Sequence, residues 1–470
     1  MNRLAPFLPC CLLLGACADR SAPAIEAGIA TPPRWQTAVA ATDDAALRRD
    51  WWRRFGSAEL EVLIERARAG SHDVAVARAR VRQARAAATV AGAPLLPEAR
   101  AGVEANREGL LGGQGNRDLD ASEDDPRIDT FLTHLDVRYE VDLWGGREAA
   151  RDSAIQGWRA SRLERAAVEL SVLAEVANRY LEASALEEQA RIAALNLDNA
   201  RRVLALVEAR HDAGAATSQE VAQQRSLVAR QQRRIPEARQ QAAQARIALA
   251  TLLGEPVQAL RMNGPSFSAL RWPTAEAGVP SELLTRRPDI AAAEARLAAA
   301  EADVREARAA LLPSLTLGAS LGSGGERAGH LLRSPFYTLT AGLAAPIFDN
   351  GRLKAERERV RARQEERLAD YRQAIVAAFA DVETALVLID GLDRQRQWQA
   401  RELDNAHEAF RLAGERYRAG AETLLMLLDS QRVLYEAQAE QVRLRLARAQ
   451  ASIALYKALG GGWRAGPPAA

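Results

Sequence analysis

Residues 415–429 read ERYRAGAETLLMLLD, and a second version of this stretch lies earlier in the chain, beginning at Arg210. Arg210, Ala213, Gly214, Ala215 and Thr217 fall on Arg416, Ala419, Gly420, Ala421 and Thr423 without a gap, at an offset of 206. Each copy has the residues of a tight turn between two long helices. Glycine supplies the positive φ that ends one helix, and a threonine hydroxyl can accept from an orphan N–H at the start of the next. Two hairpins built on one plan are expected.

The correspondence extends outward from the turns, the test that any long chain deserves first. Leu253-Gly254 falls on Leu459-Gly460 at the same 206, and Gly146-Arg147 falls on Gly351-Arg352 at 205. Upstream, Ala79-Arg80, Leu95-Leu96-Pro97 and Gly102 match Ala295-Arg296, Leu311-Leu312-Pro313 and Gly318 at 216. The drop from 216 to 205 falls between Pro97 and Gly146, so the first copy carries 11 more residues there, as a surface loop can. The mature chain is a duplication, with copies over 51–255 and 281–463, a Pro-rich linker over 256–280 and a tail over 464–470.

For 470 residues a length prior gives about three domains. The repeat overrides it. Hydrophobic content is 48%, much of it alanine, and 63 basic residues nearly balance 61 acidic ones. That composition suits long, closely packed helices with solvated charged faces, and shows no basic patch that would suit nucleic acid.

Residues 1–16 have the form of a secretory signal: Arg3, an apolar core over 4–14, then Gly15-Ala16. Cys17 follows directly. Cys10 and Cys11 lie inside the signal, so the mature chain has no pair of cysteines to oxidise and no thiolate metal site. No later stretch reaches 18 uninterrupted apolar residues, which leaves a closed β-barrel as the way to cross a membrane.

Residues 17–50, with Pro23, Pro32 and Pro33, read as an extended lead segment. Trp51-Trp52 and Phe55 introduce a helix over about 57–93, interrupted near Gly70. The period then changes from 3.6 to 2. A strand is expected over 98–107, and a clearer one over 129–142, where Phe131, Thr133, Leu135, Val137, Tyr139 and Val141 alternate with Leu132, His134, Asp136, Arg138, Glu140 and Asp142. One face is apolar and the other charged, the pattern of a barrel strand with lipid outside and water within. Residues 107–128, with Asp118, Asp120, Glu123, Asp124 and Asp125, read as a solvated outer loop whose spacing fits no calcium loop.

From Arg147 to Asp212 there is no proline and one glycine, and at ~1.5 Å per residue a helix over that span reaches about 100 Å. Its return over 217–253 carries Pro236, which is expected to kink or split it. The second copy repeats the order: a helix from Leu284 to Leu312, strands over about 314–323 and 336–345, and helices over 352–418 and 423–459. Leu368, Tyr371, Ile375, Phe379, Val382, Leu386 and Ile389 step by three and four as a coiled-coil seam.

These residues resemble a family. The duplicated order of helix, two strands, long helix, turn and return helix is similar to the TolC-type outer-membrane factors. The Leu14-Gly15-Ala16-Cys17 lipobox, Trp51-Trp52, Arg286-Arg287-Pro288-Asp289-Ile290, residues 139–145 (YEVDLWG) and residues 458–463 (ALGGGW) resemble its lipoprotein, NodT or OprM, branch. The resemblance implies a membrane α+β protein: a homotrimer whose four strands per protomer close a 12-stranded outer-membrane barrel, continued by a long α-helical coiled-coil periplasmic tunnel. It implies lipidation at Cys17 and anchoring in outer-membrane lipid. It also implies the exit duct of a tripartite efflux pump for small molecules, docked to a periplasmic adaptor and through it to an inner-membrane transporter of the RND type.

Carried over residue by residue, Arg210, Ala213, Gly214 and Thr217, with Arg416, Ala419, Gly420 and Thr423, match the adaptor-docking tips. Asp429 matches an aspartate that lines the narrow periplasmic entrance, where one carboxylate per protomer would favour cations. Relatives often carry a second acid three positions earlier; here Met426 makes the entrance less acidic. Two other duct or scaffold roles compete: an exit channel for type I protein secretion, and a lipid-anchored coiled-coil scaffold without a pore. An enzyme is not expected, since His72, His134, His211, His330 and His407 are scattered and no phosphate loop or H-E-x-x-H is present. Gly322, Gly324 and Gly325 read as hairpin-loop residues, and no cofactor is implied.

Overall fold

The computed structural model describes residues 28–37, 50–109, 127–273 and 277–463. The signal over 1–16, Cys17, the acidic residues Asp118 to Asp125 and the tail from residue 464 lie outside them. Residues 28–30 belong to a separate N-terminal unit and have no regular secondary structure. All that follows concerns the unit beginning at Thr31.

Helices α1 (Ala58–Gly70) and α2 (His72–Gly92) lead into strands β1 (Glu98–Gly109) and β2 (Arg127–Val141). Then α3 (Gly146–Asp212) runs for 67 residues, and α4 (Ser218–Leu253) returns along it. The second copy contributes α5 (Pro280–Arg286), α6 (Pro288–Ala309), β3 (Ser314–Gly325), β4 (Pro335–Ala344), α7 (Arg352–Arg418), also of 67 residues, and α8 (Leu424–Ala458). The helix expected over 284–312 is broken at Arg287, whose extended φ −103 and ψ 122 are what a following proline favours. Conversely, α4 continues through Pro236. Pro236 and Gln232, whose carbonyl loses its partner, are both exposed, so water can take the lost bond.

Helix α3 packs on α2, α4, α6 and α8, and α7 packs on α6 and α8. The seam expected on α7 faces inward: Ile375, Val382, Leu386 and Ile389 are buried. Trp51 stacks on Tyr456 with centroids 5.4 Å apart, and both rings are buried. The copies close alike. A Cβ on Gly254 would collide with the Gly70 carbonyl, and one on Gly460 with the Arg286 carbonyl. Gly70 and Arg286 are themselves 216 apart, so one contact was duplicated with the chain. The lead segment is pinned at Trp35, whose Nε1 donates to the Gly278 carbonyl (2.9 Å) and whose ring meets Phe379 edge-on.

The sheet order is β1-β2-β3-β4, antiparallel throughout. Register aligns Ala101, Leu135, Leu321 and Tyr337 in one row, and Ala99, Val137, Ala319 and Leu339 in the next. The opposite face aligns Arg100, Asp136, Ser320 and Thr338, then Glu98, Arg138, Gly318 and Thr340. Tyr337, Leu339 and Leu343 are 77, 73 and 71% exposed, an apolar face that needs lipid rather than water. The outer loop is shorter than residues 107–128, because pairing continues from Arg107↔Asp129 to Gly109↔Arg127. Gly322, Gly324 and Gly325 are strand residues of β3 rather than loop residues. The Phe336 ring lies across Gly322, where a Cβ would come within 2.5 Å of it.

Candidate functional site

Each hairpin ends in a small-residue turn. Ala215 N–H donates to the Arg210 carbonyl (2.7 Å) and Gly214 N–H to that of His211 (2.8 Å); Ala421 and Gly420 repeat both bonds to Arg416 (2.9 Å) and Tyr417 (3.1 Å). This double bond pattern needs a left-handed residue, which Gly214 (φ 76) and Gly420 (φ 73) provide without a Cβ penalty. Ala213, Gly214, Thr217, Ala419, Gly420 and Thr423 are all exposed. They present two nearly side-chain-free knuckles.

The two tips differ in how the returning helix is capped. Thr217 and Glu220 form a reciprocal capping box: Glu220 N–H donates to Thr217 Oγ1 (3.2 Å), and Thr217 N–H to Glu220 Oε2 (2.6 Å). At the offset of 206, Glu220 becomes Met426, and Thr423 makes no side-chain cap bond. Its N–H is taken by Glu422 instead. Thr217→Ala is therefore expected to loosen the first tip by about 1 kcal/mol, exposing amides 218–221 to about fivefold faster hydrogen exchange. Thr423→Ala should leave exchange at the second tip nearly unchanged; equal effects at both tips would contradict the asymmetry.

Beneath the turns the two copies are tied together. Val207, Val221, Tyr417, Leu424 and Leu427 form one buried cluster. The Arg210 guanidinium sits 4.6 Å from the Tyr417 ring centroid, and its Nη1 donates to the Tyr417 carbonyl at 2.5 Å. Arg416, its repeat equivalent, is exposed and pairs with Glu422 (3.5 Å). The repeat flagged Arg210, but Tyr417, 207 residues away, carried no signal of its own. Farther along, Tyr435 is buried; its hydroxyl, pushed up to about 12 by burial, donates to the Asn196 carbonyl (3.0 Å).

Asp429 is exposed on α8, as is Met426. The carboxylate does not stand alone: Arg432 donates to it at 2.8 Å and also pairs with Glu436 (3.2 Å). The spacing of three between Asp429 and Arg432 could have shown this. Beside the tip, α3 and α7 flank a groove of about 500 Å³ with a Val203, Leu206, Phe410 and Leu427 floor and Arg411 and Glu415 on its rim.

Among the described residues no group of His, Cys, Asp and Glu could hold a metal ion, and no helix is long and apolar enough to cross a membrane.

The family profile for outer membrane efflux proteins matches residues 63–255 and 279–461, one stretch in each copy. The chain is 57% identical over 458 residues to the pyoverdine export outer membrane protein OpmQ of Pseudomonas aeruginosa, covering 97% of this chain and 96% of that protein. It is 55% identical over 462 residues to OpmQ of Pseudomonas putida, covering 98% of each. Among solved structures, the open-state MtrE outer membrane channel of Neisseria gonorrhoeae superposes with a TM-score of 0.84 at 29% identity, over 93% of this chain and 96% of that one. The architecture is that of the trimeric outer-membrane efflux channels, with a four-stranded sheet from each chain. The function is that of an outer-membrane efflux duct. Two profile matches, one per copy, and near full-length identity above half agree with the fold: this chain is a member of the outer membrane efflux protein family.

Proposed function

We propose that this duct is the exit stage of a tripartite pump whose cargo is a siderophore of the pyoverdine class. The observation that carries the cargo is the 57% identity, along nearly the whole chain, to a protein that exports pyoverdine. In this reading the duct is passive and has no catalytic centre. A periplasmic adaptor grips the knuckles at Ala213-Gly214 and Ala419-Gly420, and an RND-type inner-membrane transporter delivers cargo through it. Two features support docking there: exposed turns nearly free of side chains, which let backbone approach closely, and the neighbouring groove with an apolar floor and charged rim. Acylated Cys17 would hold the chain to outer-membrane lipid, where more than one acyl chain makes anchoring durable.

The test is complementation of a Pseudomonas aeruginosa strain lacking its own pyoverdine duct. This chain should restore pyoverdine to the medium, while a variant with Gly214→Trp and Gly420→Trp should leave it in the periplasm. Restored export by the double variant would contradict docking at the tips. No export by the wild type, with trimers present in the outer membrane, would contradict the cargo.

Asp429 and Met426 line the periplasmic entrance in this proposal. Because Arg432 compensates each carboxylate, Asp429→Ala is expected to lower the cation-to-anion permeability ratio by only about twofold. Reversal potentials in a salt gradient across planar bilayers measure it, and a change of about tenfold or more would mean that the carboxylates act unpaired.

A further inference from the structure

The two copies of the strand hairpin do the same structural work with different chemistry. On the wet face of β1 stand Glu98, Arg100, Gly102, Glu104 and Asn106; the offset of 216 puts Ser314, Thr316, Gly318, Ser320 and Gly322 in their places on β3. Both strands form and both pair antiparallel with their neighbours, so the charges on β1 are not needed to make a strand. Nor are they there for stability, since exposed pairs contribute about 0–1 kcal/mol. Only the glycine is common to both. Each glycine seats a wet-face side chain of the adjacent strand, His134 over Gly102 and Thr340 over Gly318.

The charges are ordered by register. Glu98 lies opposite Arg138, and Arg100 opposite Asp136. Arg100 also donates to Glu98 at 2.8 Å, and at the foot of the strand Arg147 donates to Glu140 at 2.5 Å. Across β3 and β4 the same rows continue as Ser320 and Thr338, then Gly318 and Thr340, with no charge. Together the two halves line a trough of about 690 Å³. One wall offers carboxylates and guanidinium forks side by side, and the other offers hydroxyls and the room that glycines leave.

We propose that this trough is a solute-contact site inside the barrel, taking hydrophilic solutes that carry ammonium and carboxylate groups together, as peptide-like zwitterions do. A guanidinium fork matches a carboxylate, and Glu98, Asp136 and Glu140 match an ammonium. Signs that alternate between neighbouring rows favour a solute carrying both over a polyanion or an uncharged molecule of the same size. Contacts this open to water are weak, which suits a path that solutes must also leave. The inference deepens the duct reading and rests on it.

The experiment is single-channel recording of the full-length trimer in planar bilayers, with a Lys-Glu-Lys-Glu tetrapeptide and a maltooligosaccharide of similar mass as probes. The variant Glu98→Ser, Arg100→Thr, Asp136→Asn, Arg138→Gln gives the first copy the neutral chemistry of the second. Peptide blockades should fall about tenfold in the variant while sugar blockades stay unchanged, the tenfold corresponding to about 1.4 kcal/mol of lost contact. Should the fourfold variant not assemble, Arg138→Gln alone should reduce peptide blockades about threefold, and Arg138→Lys should recover only part of that loss, since it keeps the charge but not the fork. Equal peptide blockade in variant and wild type, or peptide blockade no greater than sugar blockade in the wild type, would overturn the site. Absence of any conductance from wild-type trimers would instead overturn the duct reading beneath it.

Discussion

Tyr417→Ala is expected to cost the hairpin tips about 3–5 kcal/mol and to raise the conductance of the trimer several-fold. The ring is 2% exposed at the centre of the cluster that joins the copies, and truncating a buried aromatic loses both transfer energy and the packing around the void. It also removes the face on which the Arg210 guanidinium rests, leaving that cation, among the described residues, the backbone bond to residue 417. Because the cluster lies under the tips, the loss is local, and the two hairpins should separate there while the sheet remains intact. Tyr417→Phe is the control. The Tyr417 hydroxyl is buried with no hydrogen-bond partner among the described residues, so removing it should be neutral or slightly stabilising. Thermal unfolding and single-channel conductance together check the pair. An alanine variant with wild-type conductance would mean that the Tyr417 tie does not restrain the entrance.

Arg287→Ala is expected to destabilise the chain by about 2–3 kcal/mol through the opposite kind of contact, a buried guanidinium whose carboxylate partners stay about half in water. The side chain is 11% exposed. It donates to both oxygens of Asp289 (3.0 and 2.7 Å), to Asp381 (2.8 Å) and to the Ala458 carbonyl at the end of α8 (3.2 Å). One guanidinium thus joins the start of α6, the middle of α7 and the close of the second copy. Removing it takes that donor from the Ala458 carbonyl and the Asp381 carboxylate, and leaves Asp289 to the Ile290 N–H. Arg287→Lys should recover less than half, since an ammonium cannot serve the Asp289 fork and the other two acceptors together.

The same site sets an acid limit. Burial raises the Asp289 carboxyl, but the hydrogen bonds and charge of Arg287, with the Ile290 N–H, outweigh it and hold the group below its ordinary 3.8. A carboxyl lowered on folding contributes stability that is full above its unfolded value and is lost as pH falls through the folded one. The loss therefore belongs below about pH 4. Asp289→Asn should flatten the stability profile in that range and leave its shape at pH 6–8 unchanged, as guanidinium titrations at several pH values would show.

How much of this was written in the sequence follows from distance along the chain. The turns at Gly214 and Gly420 were legible because each is a local device with a required conformation, and having two copies removed chance as an explanation. The strands were legible because lipid and water impose a period of two on their faces, and the register keeps Ala101, Leu135, Leu321 and Tyr337 in one dry row. The break at Arg287 was also written there, in the preference of a residue before proline for extended backbone. What was not legible lies between copies. Nothing local to Arg210 points at Tyr417, and nothing local to Glu98 points at Arg138. Pro236 does not split α4 because its orphaned carbonyl reaches water, and Gly322 misled because a ring from the next strand fills the space it leaves.

The measurement that tests the central claim most directly is single-channel conductance of the purified full-length protein in planar bilayers, recorded alongside its oligomer mass. The duct account predicts discrete openings from a species with the mass of three chains, larger in Tyr417→Ala than in the wild type. A membrane-bound monomer that passes no current would contradict it and leave a lipid-anchored helical scaffold.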